Sequence, residues 1–259
     1  TLAALVVYFI ANIKMTTLTV PFLGVVSLGW FSLPITLIWI LGITNAVNLI
    51  DGLDGLATGV AIIALSTSAL TGYFFLNVTS TFISIMMATL VAALLGFLPY
   101  NFHPAKIYLG DTGSLFIGFM ISVFSLYGLK NATFITLIIP VIILGVPITD
   151  TLYAILRRLL NKKPISQADK HHLHHRLMQM GLTHRQTVLV IYGIALIFSF
   201  ISLLYPLSNL WGSILLTVAT LFGLELFVEA IGLVGDTRQP LLNGIKYLVL
   251  KVSHLFEHK

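Results

Sequence analysis

The chain has 259 residues, of which 58% are hydrophobic and 9% charged, with a formal net charge of +5 and no cysteine. A water-soluble domain of this length carries far more charge, so composition excludes one, and the missing thiols exclude disulfides and cysteine metal sites. The positive balance does not point to nucleic acid, because in a membrane protein it first reports topology.

Apolar runs follow one another at 2–13, 33–49, 56–76, 82–100, 115–129, 134–156, 188–204 and 210–231. Runs long enough to cross about 30 Å of hydrocarbon as helices recur from end to end, and they do not alternate as barrel strands would. The pattern predicts an all-α polytopic membrane protein with about eight transmembrane helices in one integral-membrane domain over 1–259. The chain opens at Thr1, already inside an apolar run, which predicts that N-terminal helices precede it. Next comes MTTLTVPFLGVVSLGWFS, residues 15–32, whose Thr, Val, Gly and Pro with partial alternation predict a short extracellular hairpin.

The second apolar run ends in NAVNLIDGLDGLATG, residues 45–59. Asn48, Asp51 and Asp54 recur every three residues and share one face of a helix, while Gly52 and Gly55 interrupt that helix. A solvated terminus with capping aspartates would give the same pattern. Two acids and two asparagines at a membrane boundary favour metal or phosphate chemistry instead.

After the fourth run comes PYNFHPAKIYLGDTGSLFIG, with Asn101, His103, Lys106, Tyr108, Gly110 and Asp111. Asp111 or Thr112 could cap the next helix, yet capping does not explain the stiff polar loop before it. Carboxylate and amide oxygens suit Mg²⁺, which keeps waters and takes one or two protein carboxylates. Asp111 with Asn48 and a diphosphate meets that demand.

The sixth run carries Asp150, for which an ion pair along its own helix to Arg157 is the simplest reading. It is followed by KKPISQADKHHLHHRLMQMG, with His171, His172, His174 and His175 among lysines and arginines. An interfacial helix on anionic lipid is one reading. A zinc site at His171 and His175 lacks the glutamate of H-E-x-x-H, and phosphate binding fits the surroundings better. Glu225 and Glu229 in the last run receive no role.

Lysine and arginine gather on cytoplasmic loops. The densest cluster, Arg157, Arg158, Lys162, Lys163, Lys170, Arg176 and Arg185, puts 157–185 inside. Alternation of the helices then brings Asp51, Asp54, His103, Asp111, Asp150, Asp169 and the histidine cluster to the cytoplasmic face.

In this order, NAVNLIDGLDGLA, NFHPAKIYLGDTGS and HHLHH resemble the polyprenyl-phosphate sugar-1-phosphate transferases of the glycosyltransferase family 4 type. The His-x-His-His form resembles the N-acetylglucosamine branch, and the likeness is strongest to enzymes that start teichoic-acid linkage units. The resemblance implies transfer of N-acetylglucosamine-1-phosphate from UDP-N-acetylglucosamine to undecaprenyl phosphate with release of UMP. Transfer from UDP-MurNAc-pentapeptide or another UDP-amino sugar is the alternative. It implies a bacterial plasma-membrane enzyme with its active site facing the cytoplasm, the lipid bilayer as a partner and no nucleic acid; homodimerisation is left open.

The same resemblance implies Mg²⁺, with Mn²⁺ as an alternative ion, held by Asp111 and Asn48. Asp51 and Asp54 would orient the nucleotide and the ion's waters. Tyr108 would stack on uracil, and Asn101 and Gly110 would line the nucleotide side. His172, His174 and His175, with Arg157 or Arg158, would hold the diphosphate. These enzymes also carry an adjacent Asp-Asp pair, absent from this chain and expected upstream of Thr1, so the chain alone is expected to be inactive. An intramembrane aspartyl protease would leave the histidines idle, and a proton-coupled transporter would place its ionisable groups near the midplane.

Overall fold

The computed structural model describes residues 1–20, 24–75, 79–128, 134–160, 162, 164, 172–233 and 239–244. Lys163, Asp169, Lys170 and His171 lie outside the described residues. The elements are α1 (Leu2–Phe9), β1 (Thr17–Val20), β2 (Gly24–Ser27), α2 (Ser32–Leu49), α3 (Leu56–Phe75), α4 (Thr79–Asn101) and α5 (Gly110–Gly128). They continue with α6 (Phe134–Ile143), α7 (Gly145–Leu160), α8 (Leu173–Gln179), α9 (His184–Leu204) and α10 (Leu210–Ile231).

Among the described residues, six helical stretches are long and apolar enough to cross a membrane: Gly29–Leu49, Leu56–Phe75, Thr81–Asn101, Gly110–Tyr127, His184–Leu207 and Leu210–Ile231. Two of the eight apolar runs take another form. The run 2–13 yields the eight-residue α1, and the run 134–156 is shared by α6 and α7 in tandem. Pro140 within α6 and Pro147 near the start of α7 bracket the break at Leu144, because a proline donates no backbone hydrogen bond and its ring crowds the preceding turn. The expected hairpin is present, with Thr17 opposite Ser27 and Val20 opposite Gly24.

Hydrocarbon offers no partner for backbone polar groups, so helix ends must be satisfied locally. Thr183 and Gln186 form a reciprocal capping box at the start of α9. Asn209 accepts from the Gly212 amide at the start of α10 (2.8 Å), and Gly232 ends that helix in the left-handed conformation. Buried hydroxyls bond back into their own helices, as Thr67 does to the Ile63 carbonyl and Thr71 to the Thr67 carbonyl.

α3 is the central element: 61% of its most apolar stretch is buried among the other helices, against 11% for α10. It packs on α4, α9 and α5, while α2 lies along α5. The exposed surface is itself apolar, with Ile38, Phe74, Phe82, Phe116, Leu215 and Val218 turned outward. That is the reverse of a soluble protein and suits a lipid surround.

The approach of α2 to α5 depends on Gly118, where a Cβ would lie 2.9 Å from the backbone of Thr44. Gly118→Val is expected to force the two helices apart and cost about 1–3 kcal/mol, read as a lower thermal unfolding midpoint in detergent. Gly96→Ala, where an added Cβ meets nothing within 4 Å, should not lower that midpoint.

Candidate active site

The chain reverses between successive long helices, with α6 and α7 running on in tandem, so the end of α2, the start of α3, the end of α4 and the start of α5 fall at one end of the bundle. The end of α7, α8, the start of α9 and the end of α10 join them there. All three polar motifs are therefore neighbours, although 63 residues separate Asn48 from Asp111.

α2 unwinds at Asn48, whose carbonyl accepts from the Asp51 amide (3.1 Å), and Gly55 (φ +79°) turns the chain into α3. The Tyr192 hydroxyl on α9 donates to the Gly55 carbonyl (2.5 Å) and pins this turn. The Asn48 amide donates to Asp111 Oδ1 (3.1 Å) and to Ser114 Oγ (2.8 Å), both on the first turn of α5. Asp111, expected only from its motif, is thus joined directly to Asn48, and Ser114 completes the contact.

Asn101, the last residue of α4, is buried; its Oδ1 accepts from Thr58 (2.7 Å) and its Nδ2 donates to the Ile107 carbonyl in the loop that follows (3.0 Å). These bonds make Asn101 a brace for the loop. Tyr108 beyond it is 75% exposed, and Gly110 turns the chain into α5 with φ +64°. Asp54 Oδ2 accepts from His103 Nδ1 (2.9 Å) and the Ala105 amide (3.1 Å). Burial raises the Asp54 pKa, but the Ala105 amide and His103 outweigh it and hold the carboxyl below its ordinary range. The His103 ring stacks on His184 (4.1 Å between centroids), and Arg185 Nε donates to the His103 carbonyl (3.0 Å).

The histidine segment closes the other side. His172 and His174 are buried and their rings are parallel, 2° apart in plane with centroids 5.9 Å apart; His175 lies 4.1 Å from His174. A Cβ on Gly52 would come within 2.5 Å of His174 Nε2. The glycine between Asp51 and Asp54 therefore lets the histidine platform close against the first motif. Burial, then neighbouring His175, pushes the His174 imidazole down to about 4, so it meets the site as a neutral ring.

Asp150 is bound from outside its own helix: Oδ2 accepts from His172 Nδ1 (2.8 Å) and Oδ1 from the Leu173 amide (2.7 Å). Arg157 Nη1 donates to the Leu233 carbonyl (2.5 Å) and Arg176 Nη2 to the Gly232 carbonyl (2.6 Å). Both arginines thus reach the end of α10. Tyr153 donates to Glu225, and Glu229 accepts from the amides of Leu241 and Leu242 (3.0 and 2.8 Å). Gly52, Tyr192, Ser114 and Glu229 receive no role from sequence reasoning, because each acts through a neighbour away from it in sequence; only Gly52 and Ser114, inside their motifs, carry a local signal.

Two donor sets could bear on a metal. Burial, then the charges of Asp111 and Asp54, raises the Asp51 carboxyl from 3.8 to about 6. Acids that crowd one another, with an amide oxygen beside them, are the donor set a hard divalent cation relieves, and Asp111, Asn48 and Asp51 fit Mg²⁺ on that ground. Asp54, His103 and His184 also bring donor atoms within 4.8 Å of one another, but Asp54 Oδ2 is already held by His103 and Ala105.

Two outcomes test this arrangement. Gly52→Ala is expected to displace His174 and lower any activity of the full-length protein at least about tenfold, as an overpacked contact at a site should, with the fold kept by circular dichroism. Between pH 3.8 and about 6 the folded protein holds a proton on Asp51 that the unfolded chain releases, so this group costs stability as pH rises through that window. In EDTA, Asp51→Asn should therefore melt higher than the parent above pH about 6, with the gap closing toward pH about 4. Mg²⁺ should narrow it at high pH.

Residues 1–129 match the family described as glycosyl transferase family 4. The chain is 49% identical over 240 residues to the probable undecaprenyl-phosphate N-acetylglucosaminyl 1-phosphate transferase of Bacillus subtilis (strain 168), covering 92% of this chain and 66% of that protein. It is 41% identical over 182 residues to the decaprenyl-phosphate N-acetylglucosaminephosphotransferase of Mycolicibacterium smegmatis, covering 62% and 44%. It is 34% identical over 191 residues to the phospho-N-acetylmuramoyl-pentapeptide-transferase of Halalkalibacterium halodurans, covering 73% and 56%. The chain thus spans just under two thirds of the first of these relatives and about half of the others. With these matches and the three motifs gathered at one end of an apolar helical bundle, the chain belongs to glycosyl transferase family 4.

Proposed function

We propose that the full-length protein transfers N-acetylglucosamine-1-phosphate from UDP-N-acetylglucosamine to undecaprenyl phosphate, at the cytoplasmic face of the bacterial plasma membrane. The products are undecaprenyl-diphospho-N-acetylglucosamine and UMP, and the lipid product starts a cell-wall glycan such as teichoic acid. The observation that carries this reading is the closure of His174 on Gly52, between the two acids of the first motif. It supports one cleft with an oxygen-ligand side and an imidazole side. The names of the relatives support the donor sugar and the lipid acceptor.

In this reading a phosphate oxygen of the lipid attacks the β-phosphorus of the nucleotide sugar. The bond from that phosphorus to the bridging oxygen breaks, and its electron pair leaves with UMP. Phosphoryl transfer asks the protein for alignment and charge neutralisation more than covalent help. Asp111 and Asn48 would hold Mg²⁺, which when bound would supply charge neutralisation to the diphosphate and to the leaving oxygen. Asp51 would add its carboxylate beside them. Asp54, fixed by His103 and Ala105, and the exposed Tyr108 ring position the uridine. His172, His175 and Arg158 hold the diphosphate from the opposite side, with His174 offering a neutral hydrogen-bonding ring. The amphiphilic acceptor stays in the bilayer while the nucleotide arrives from water, which a site at the end of the bundle permits.

Asp111→Asn in the full-length protein is expected to lower UMP release at least about 100-fold, the scale for losing one preorganised electrostatic group, while the protein still folds. Unchanged release would sink the assignment. A donor panel with undecaprenyl phosphate and Mg²⁺ should show UDP-N-acetylglucosamine used in preference to UDP-MurNAc-pentapeptide.

A further inference from the structure

Asp150 is 2% exposed in the interior of α7 and stands outside the proposed chemistry. A buried carboxylate is tolerated only when its lone pairs are met, and this one is met from the histidine segment. Oδ1 takes the amide of Leu173, the first residue of α8, which would otherwise be one of the unpaired N–H groups of that helix. Oδ2 takes His172 Nδ1, so the proton on that side of the ring lies between nitrogen and carboxylate. The other nitrogen, Nε2, then points away from Asp150.

The consequence runs further along the segment. α8 begins where Asp150 receives Leu173, so His174 and His175 occupy its first turn at a set rotation. The His174 ring lies parallel to His172 and reaches Gly52. One carboxylate buried in α7 therefore fixes the ring state of His172 and the placing of the two histidines that follow.

The geometry points to Asp150 as a positioning residue of the transfer reaction, acting through His172 without touching substrate. This rests on the transferase reading above. Asp150→Asn keeps an acceptor for Leu173 but turns an N–H toward His172 Nδ1, which inverts the ring's preferred proton position.

The test is a double-mutant cycle on the full-length protein, with UDP-N-acetylglucosamine, undecaprenyl phosphate and Mg²⁺, beside ¹⁵N-histidine NMR of the substrate-free protein. Asp150→Asn is expected to lower kcat about 10- to 100-fold, the scale for losing a carboxylate that orients a functional histidine, with a much smaller change in KM. On a His172→Ala background the same substitution should cost nothing further. The NMR signal of His172 should show Nδ1 protonated in the parent and lose that signature in Asp150→Asn. Should Asp150→Asn fail to fold, Asp150→Glu, which keeps the charge and moves it by one methylene, takes its place in the cycle. A loss of equal size with and without His172 would overturn the proposal, as would an unchanged ¹⁵N spectrum. If the parent releases no UMP from any UDP-sugar, the transferase reading fails on its own, and the spectrum alone decides whether Asp150 sets His172.

Discussion

Everything at the polar end of this protein depends on how closely an imidazole can approach a glycine. The first motif and the histidine segment are far apart in sequence and belong to helices that do not follow one another. They become one cleft because position 52 has no side chain and His174 fills the space it leaves. The approach needs support from both flanks. On one, Tyr192 ties the Gly55 turn to α9; on the other, Asp150 and the α10 carbonyls hold the histidine segment. Between these supports the site is held by hydrogen bonding and by contact.

Electrostatics divides the cleft into two regimes. Asp51 is crowded by Asp111 and Asp54 and titrates high, which marks a place short of positive charge. Asp54, a turn away in sequence, is held low by an amide and an imidazole. Burial is the larger cause of the rise at Asp51, whereas at Asp54 a smaller burial effect is outweighed by its donors. One acid is provided with donors by the protein, and the other faces two further acids. His174, neutral at physiological pH, adds no charge where the histidine segment meets the acids, so the platform can come close without forming a salt bridge that would fill the cleft.

The helical, membrane-embedded class was legible because long apolar runs have few other uses, and the hairpin at 15–32 because its Thr, Val and Gly content suits strands. The tandem of α6 and α7 was not, since Pro140 and Pro147 lie inside a run long and apolar enough to read as one helix. Asn48, Asp51, Asp54 and Asp111 stood out as polar groups at apolar boundaries, and the structure joins Asn48 to Asp111 directly. The partner of Asp150 was hidden for a plain reason: an arginine one to two turns along the same helix is a sufficient local explanation, whereas His172 reaches it through a loop. Tyr192 and Glu229 gave no signal at all, because a tyrosine or a glutamate within an apolar run identifies no particular acceptor or donor.

The two arginine contacts at Gly232 and Leu233 bear on how the protein is made. Arg157 and Arg176 are synthesised well before the carbonyls they bind, which lie at the far end of α10. While the chain is still emerging from the ribosome, the histidine segment therefore lacks its Arg176 contact and α7 its Arg157 contact, even though every motif has already been translated. Arg176 can reach the Gly232 carbonyl only once α10 has been made, so this support of the cleft forms after the motifs it holds.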